Sequence, residues 1–324
     1  MVLKVGLIGY RNHAQRLIDI INSNHNSNLM YIFHPTKKFD DPLFTTNFDN
    51  LLTCDVVVVS SPNNTHFNYL QKLQNFKGYI FCEKPPVSSS VELKKLQKIF
   101  KKKSSKVFFN FNHRFNTFSK ILKKKSIIGK LGIINHINIV STHGLAFKKE
   151  YLSSWRANGK NNLHNILETV TIHYVDLLNF HFGNIQPQSY SPKLVSKNGS
   201  AFDSCHLSLL LNNDITVSIF NSYATPVINE ISIIGTNGIL NIRNNQLTLS
   251  YPRNTFNSKG FFKSPSIKHK VKFSMEDGYA NSLKDSMNYF LNCASKKLDI
   301  NKNYFETSLS TNQLIFDIEN TFIS

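Results

Sequence analysis

Asp55-Val56-Val57-Val58-Val59 narrows the possible folds more than any other stretch of the chain. Four consecutive β-branched residues leave a strand with no polar face, so it must be covered on both sides, as a central strand of a parallel sheet is. Similar short apolar runs surround it: Val2-Leu3-Lys4-Val5-Gly6-Leu7-Ile8, Leu29-Met30-Tyr31-Ile32-Phe33, Tyr79-Ile80-Phe81-Cys82 and Lys106-Val107-Phe108-Phe109-Asn110-Phe111. Helical patterns separate them. Ala14, Leu17, Ile18 and Ile21 fall on one helix face, Phe67, Leu70 and Leu73 on another, and Ser89-x-x-Glu92 forms a capping box ahead of Leu93, Leu96 and Phe100. Strands alternating with helices in this way predict a Rossmann-type, doubly wound α/β domain over residues 1–118.

Beyond that point the pattern changes. A helix near Ser119–Lys125 and a strand at Ile133–Val140 lead to Trp155-Arg156 and then to a helical stretch, Asn165–Phe182, ended by Gly183. Next come alternating strands, with Leu207, Leu209 and Leu211 on one face and His206 and Ser208 opposite, Asn212-Asn213-Asp214 and Thr236-Asn237-Gly238 as turns, and closing helices from about Gly278. Residues 119–324 therefore read as an α+β domain with an open, mostly antiparallel sheet.

The formal charge of +18 would attract phosphates of any kind. The lysines are dispersed, however, and the runs Lys101–Lys103 and Lys123–Lys125 follow apolar helical patterns, where cations favour a helix C-terminus. A nucleic-acid partner is not expected. The four cysteines, Cys54, Cys82, Cys205 and Cys293, show no metal-ligand or disulfide spacing, so no metal is expected and they read as small buried hydrophobes. No apolar run reaches the eighteen or so residues of a membrane span, and Met1–Tyr10 lacks the features of a signal peptide. A cytoplasmic protein with no membrane partner is the expectation.

Candidate functional residues lie where strands end, because ligands of open parallel sheets bind at the carboxyl edge. Gly9, Tyr10, Arg11 and Asn12 connect the first strand to the first helix, the context of a dinucleotide fingerprint. Gly9 and Ala14 occupy the first and third glycine positions, while Arg11 holds the second, where a guanidinium either displaces phosphates or grips them. The second strand ends in His34-Pro35-Thr36-Lys37-Lys38, with no carboxylate for a ribose 2′-hydroxyl, so NADP is favoured over NAD if either binds. An ordinary basic turn is the other reading. Glu83 and Lys84 close the fourth run, halted by Pro85, either as a site or as a surface ion pair.

The order of these parts resembles the Gfo/Idh/MocA family of NAD(P)-dependent oxidoreductases over essentially the whole length. Its landmarks are Gly6-Leu7-Ile8-Gly9, Ser61-Pro62-Asn63-Asn64-Thr65-His66, Cys82-Glu83-Lys84-Pro85-Pro86, Asn110-Phe111-Asn112-His113-Arg114-Phe115 and His173-Tyr174-Val175-Asp176. The resemblance implies that Ser61, Pro62, Asn63 and His66 border the cofactor. It also implies that Glu83, Lys84 and Pro85 form an E-K-P element whose Lys binds the reacting hydroxyl and whose Lys–Pro bond is often cis. His173 would transfer the proton and Asp176 would contact substrate or orient its neighbours. Thr169, His173, Asp176 and Phe180 share one helix face, which agrees with that assignment. The family commonly has an acid where Thr169 stands. Arg114 and Arg156 are the candidate contacts for an anionic substrate.

The expectation is thus a hydride-transferring NAD(P) enzyme acting on a hydroxyl or keto carbon of a sugar, nucleotide-linked or otherwise anionic. Catalytic duty falls to Lys84 and His173, substrate contacts to Lys84, Arg114, Arg156, Thr169, His173 and Asp176, and assembly to a homodimer or homotetramer. A member of the same fold that keeps its ligand but has lost turnover is the alternative, motivated by Thr169 and Arg11.

Overall fold

A computed structural model describes residues 2–37, 39–243, 245–272 and 275–322. It contains two sheets. The first has six strands in the order β3-β2-β1-β4-β5-β6, all parallel: β1 (Leu3–Ile8), β2 (Ser27–Phe33), β3 (Phe44–Thr45), β4 (Val56–Val59), β5 (Tyr79–Glu83) and β6 (Val107–Asn110). The all-valine strand pairs with β1 on one side and β5 on the other, and its four residues have no exposed surface. Two short residues, Phe44 and Thr45, add an edge strand beside β2 that the sequence pattern does not signal.

The second sheet has eight strands in the order β14-β13-β12-β11-β7-β10-β9-β8: β7 (Ile134–Thr142), β8 (Ile185–Lys193), β9 (Ser204–Leu211), β10 (Ile215–Ser222), β11 (Ile228–Gly235), β12 (Ile239–Arg243), β13 (Gln246–Ser250) and β14 (Ile267–Lys272). Its pairings are antiparallel except β7 with β10, which run parallel. Alternation along β9 and β10 buries Leu207, Leu209, Leu211, Val217 and Ile219 and leaves His206, Ser208, Thr216 and Ser218 on the other face.

The chain divides into two compact units, residues 1–115 with 281–316, and residues 116–280 with 317–324. The sequence pattern assigns the closing helices to the second part, whereas most of their length completes the first. Their apolar stripe explains this: Met287, Phe290 and Leu291 are fully buried, and the Phe290 ring packs 5.3 Å from Phe81 and 6.0 Å from Phe108. Burying each such ring stabilises the unit by about 1.5–3 kcal/mol. Polar ties fix the register, with Asn112 donating to Ser282 Oγ (2.8 Å), Val87 N donating to Asn312 Oδ1 (3.1 Å) and the Tyr79 hydroxyl donating to Leu298 O (3.0 Å).

The capping box forms in modified shape: Ser89 Oγ accepts from Glu92 N at 3.3 Å, while Glu92 Oε2 accepts from Ser88 N rather than from the cap residue itself. Asn165–Phe182 is not one regular helix. Leu167–Thr171 is a π-helical turn that passes into an α-helix over Ile172–Phe182, and its i→i+5 bonding widens the turn just ahead of His173. All four cysteines are free and buried. Among the described residues, no helix is long and apolar enough to cross a membrane.

Candidate active site

In the first unit, the carboxyl edge of the parallel sheet gathers Gly9, His34, Ser61, Glu83 and Asn110. Gly9 has φ +106°, and a Cβ there would stand 2.4 Å from Ser60 O, so only glycine fits between the ends of β1 and β4. The helix Asn12–Ser23 begins directly after, with no acid in its first turn, which leaves its amide end fit for an anion. Arg11 is its N-cap residue, exposed and making no side-chain cap hydrogen bond. Tyr10 leans on Phe39 and Phe44, with ring centroids at 5.4 and 4.7 Å. This close approach of bare backbone suits a dinucleotide pyrophosphate.

After β2 the loop closes on His34, whose Nδ1 accepts from Lys37 N at 2.9 Å and Thr36 N at 3.3 Å. The imidazole thus plays the turn-forming part usually taken by Asn or Asp. Lys38 lies outside the described residues. After β4, Ser61 and Pro62 lead into a 3₁₀ turn over Asn63–Thr65, whose Thr65 N donates to Pro62 O (2.8 Å), and the half-buried Asn63 amide makes no hydrogen bond among the described residues. His66 is fully buried. Its ring nitrogens meet two backbone carbonyls, Pro85 O at 2.8 Å and Ser61 O at 3.0 Å, so it pins the β4 loop to the β5 loop. Burial, outweighing those two bonds, holds its pKa below the ordinary value.

The Lys84–Pro85 bond is cis. Lys84 is half-buried, and the carboxylate preceding it is held firmly: Glu83 Oε1 lies 2.8 Å from His13 Nε2 and accepts from Asn110 Nδ2 at 2.7 Å, while Asn110 Oδ1 accepts from Ser286 Oγ at 2.6 Å. Burial alone would push the Glu83 carboxyl up. The His13 charge, the hydrogen bond from Asn110 and the Lys84 charge outweigh it and hold that carboxyl below its usual range. The Glu83 carboxylate in turn raises His13, against burial and the charges of Arg16 and Lys84. His113, three residues past the end of β6, is pushed down to about 4 by burial and by Lys84. It is therefore a neutral imidazole near an ammonium.

Neither His13 nor His113 stands out in the sequence as a site residue. His13 sits in the very turn that carries the dinucleotide pattern, but its partner is 70 positions away in the chain, and nothing local signals the pairing. Arg114 needs correction. The sequence places it against substrate, whereas the structure buries it to 1%, with Nη1 donating to Tyr304 O (2.8 Å) and Nη2 to Ser308 Oγ (3.1 Å), between the Phe111 and Tyr304 rings. It braces the closing helix against the end of β6.

In the second unit, His173 is half-buried on the first turn of its helix, and Asp176, one turn on, is fully buried. Thr169 lies in the π turn and is also buried, so the stripe Thr169–His173–Asp176 is largely covered rather than solvated. Thr169 Oγ1 donates to Asn165 O at 2.6 Å and is hydrogen-bonded to the Tyr223 hydroxyl. Arg156 stands on a 3₁₀ turn with its guanidinium over the Trp155 ring, 4.6 Å from the centroid. Among the described residues, no group of three or more His, Cys, Asp or Glu side chains is arranged to hold a metal ion.

Comparison with known proteins agrees with this architecture. Residues 3–111 match the oxidoreductase family with NAD-binding Rossmann fold, and residues 122–241 match the GFO/IDH/MocA C-terminal domain. Glucose-6-phosphate 3-dehydrogenase of Bacillus subtilis is 26% identical over 190 residues, 55% of this chain and 53% of that protein. Inositol 2-dehydrogenase of Rhizobium meliloti is 26% identical over 129 residues, 40% of this chain and 37% of that protein. These matches span about a third to a half of the relatives' length. An oxidoreductase from Agrobacterium radiobacter, solved in complex with NAD+, L-tartaric acid and magnesium, shares the fold with a TM-score of 0.80 at 17% identity, covering 99% of this chain and 97% of that one. With both of its domains accounted for in order, the chain belongs to the GFO/IDH/MocA oxidoreductase family and carries that family's NAD-binding Rossmann domain.

Proposed function

We propose that the protein is an NAD(P)-dependent dehydrogenase or reductase acting on a hydroxyl or keto carbon of a sugar or related polyol, nucleotide-linked or otherwise anionic. The observation that carries this reading is the placement of Lys84: an amine at the carboxyl edge of the parallel sheet that also carries the Gly9 turn, its preceding carboxylate clamped by His13 and Asn110. The bound nicotinamide would supply the hydride acceptor or donor. The pyrophosphate would be held by backbone at Gly9, Tyr10, Arg11 and Asn12, and the nicotinamide end would be bordered by Ser61, Pro62 and Asn63. His66 acts by pinning that loop to the one that carries Lys84.

Lys84 donates hydrogen bonds to the substrate oxygen and stabilises it as it gains alkoxide character. His173 takes the hydroxyl proton during oxidation and returns it during reduction. With Thr169 where an acid commonly stands, the acid–base work falls to His173 and Lys84. The basic turn with His34, Thr36 and Lys37 lacks an acid for a ribose 2′-hydroxyl, which supports NADP over NAD. The half-polar face of the second sheet supports pairing with a second copy of the chain, as a dimer or tetramer.

The reading is tested by mixing the protein with NADP or NAD and a panel of sugars, sugar phosphates, sugar acids and nucleotide sugars, and following absorbance of reduced cofactor. Turnover with a panel member, lost in Lys84→Ala and His173→Ala, is the expected result. Inactivity across the whole panel, or turnover that survives both substitutions, rejects it.

A further inference from the structure

The carboxyl ends of β7 and β10 are neighbours because this pair alone in the second sheet runs parallel. His143 and Tyr223 leave those ends side by side: Thr142 pairs with Ser222, His143 N donates to Ser222 O at 2.9 Å, and the two rings stack 5.0 Å apart at 21°. The connection that leaves β7 brings Trp155 and Arg156 to the same place, where the Arg156 charge reaches the Tyr223 hydroxyl and lowers its pKa, against the larger effect of burial. As at the ends of parallel strands generally, side chains from separate segments converge there.

The hydrogen bonds in this cluster have a direction. A backbone carbonyl can only accept, so the Thr169 hydroxyl donates to Asn165 O (2.6 Å), which obliges the Tyr223 hydroxyl to donate to Thr169 Oγ1. The Tyr223 oxygen is then left as an acceptor facing Arg156. His143 is oriented as well: its Nδ1 accepts from Leu145 N at 3.3 Å, which leaves the proton of the neutral ring on Nε2 as a donor. Burial and the Arg156 charge both favour that neutral ring.

Arg156 itself forms no ion pair with any described residue. Asp203, whose charge bears on Tyr151, the ring set edge-on to Tyr223 at 6.3 Å, is committed elsewhere, accepting from Val195 N and Ser196 N, each at 2.9 Å, and from the hydroxyls of Ser196 and Ser204. A half-buried guanidinium, one face covered by Trp155 and its charge felt at the Tyr223 hydroxyl, therefore keeps donors for an anion that no described residue provides.

We infer that Arg156, oriented through the chain Tyr223–Thr169–Asn165 and joined by His143 Nε2–H, anchors a compact anionic group on the substrate, a carboxylate or a phosphate. The substrate is then a sugar acid or sugar phosphate rather than a neutral polyol. This rests on the dehydrogenase reading only in calling the ligand a substrate. Arg156 is the binding residue, and Tyr223 and Thr169 are positioning residues. Thr169 suits that part because an acid in its place would sit within reach of the Tyr223–Arg156 pair and compete with the ligand for the guanidinium.

The test is calorimetric binding to the full chain, with no turnover required, using glucose 6-phosphate, glucuronate, inorganic phosphate and myo-inositol as probes. At least one anionic probe binds the wild type, weakens tenfold or more in Arg156→Gln, and weakens several-fold in Tyr223→Phe and Thr169→Asp; any myo-inositol binding is unchanged in Arg156→Gln. Arg156→Lys, which keeps the charge but not the fork, falls between. Which probe binds identifies carboxylate or phosphate. Circular dichroism and urea midpoints equal to wild type show that Arg156→Gln is folded. The inference is overturned if no anion binds the wild type, if Arg156→Gln binds anions as well as the wild type, or if it loses myo-inositol equally. Anion binding lost in Arg156→Gln without turnover on any substrate would reject the dehydrogenase reading and leave this site standing.

Discussion

Replacing Glu83 by Gln reverses the direction in which His13 is shifted. In the native protein the Glu83 carboxylate, 2.8 Å from His13 Nε2, is the largest influence on that imidazole and raises it above 6.5. Every other influence, namely burial and the charges of Arg16 and Lys84, lowers it. With a neutral amide at position 83 only those remain, so His13 titrates below 6.5. The His13–Glu83 ion pair, with the His13 side chain a third exposed, contributes about 1 kcal/mol.

The sign with pH follows from the two shifts. The raised His13 contributes stability that is fully present below 6.5 and is lost as pH rises through its folded value. The lowered Glu83 contributes stability present above 4.5 and lost as pH falls through its folded value. Wild type and Glu83→Gln therefore differ most between pH 4.5 and 6.5, and the gap narrows on either side. The assay is an NMR titration of the His13 ring proton, assigned with His13→Asn, together with urea unfolding at about pH 5.5 and 9. If His13 in Glu83→Gln still titrates above 6.5, or the stability gap persists unchanged at pH 9, the account of this buried pair fails.

Three further outcomes are expected. Gly9→Ala forces a Cβ to within 2.4 Å of Ser60 O at a left-handed φ, so it destabilises the first unit by about 1–3 kcal/mol and abolishes the fluorescence signal of bound NAD(P)H. Arg114→Ala lowers stability by about 3 kcal/mol in urea unfolding, because it empties a fully buried site and strips donors from Tyr304 O and Ser308 Oγ; a raised KM with unchanged stability would instead restore Arg114 to the substrate. Glu319 is pushed up to about 8 by burial and then by its neighbour Glu168, so the second unit loses stability as pH rises from 4.5 to about 8; Glu319→Gln flattens that slope in thermal melts, and an equal slope in both proteins contradicts the assignment.

Much of the first unit is legible in the sequence because its signals are local. A run of valines with no polar face can only be a covered strand, and Gly9, placed between a strand and a helix, announces a turn that only glycine can make. What sequence does not disclose is pairing over long separations. Arg114 reads as a free cation until Tyr304 and Ser308 are brought to it, and His13 reads as one more turn residue until Glu83 arrives. Periodicity also misleads where its assumption breaks: the helical wheel through Thr169 and His173 presumes α geometry, and the π turn at Leu167–Thr171 departs from it. The Tyr223 partnership is invisible for the same reason as the others, since 54 residues separate it from Thr169.

The division of the chain bears on how the protein is made. The unit built on the parallel sheet needs residues 281–316 as well as 1–115, so an emerging polypeptide holds the unshielded Phe81 and Phe108 rings through the synthesis of some 165 intervening residues. A fragment cut after position 115 lacks the helix that covers them and is expected to be bound by chaperones or to precipitate. Joining Asn281–Phe316 directly behind Phe115 through a short linker would give a self-sufficient nucleotide-binding module, a form in which the two units can be studied apart.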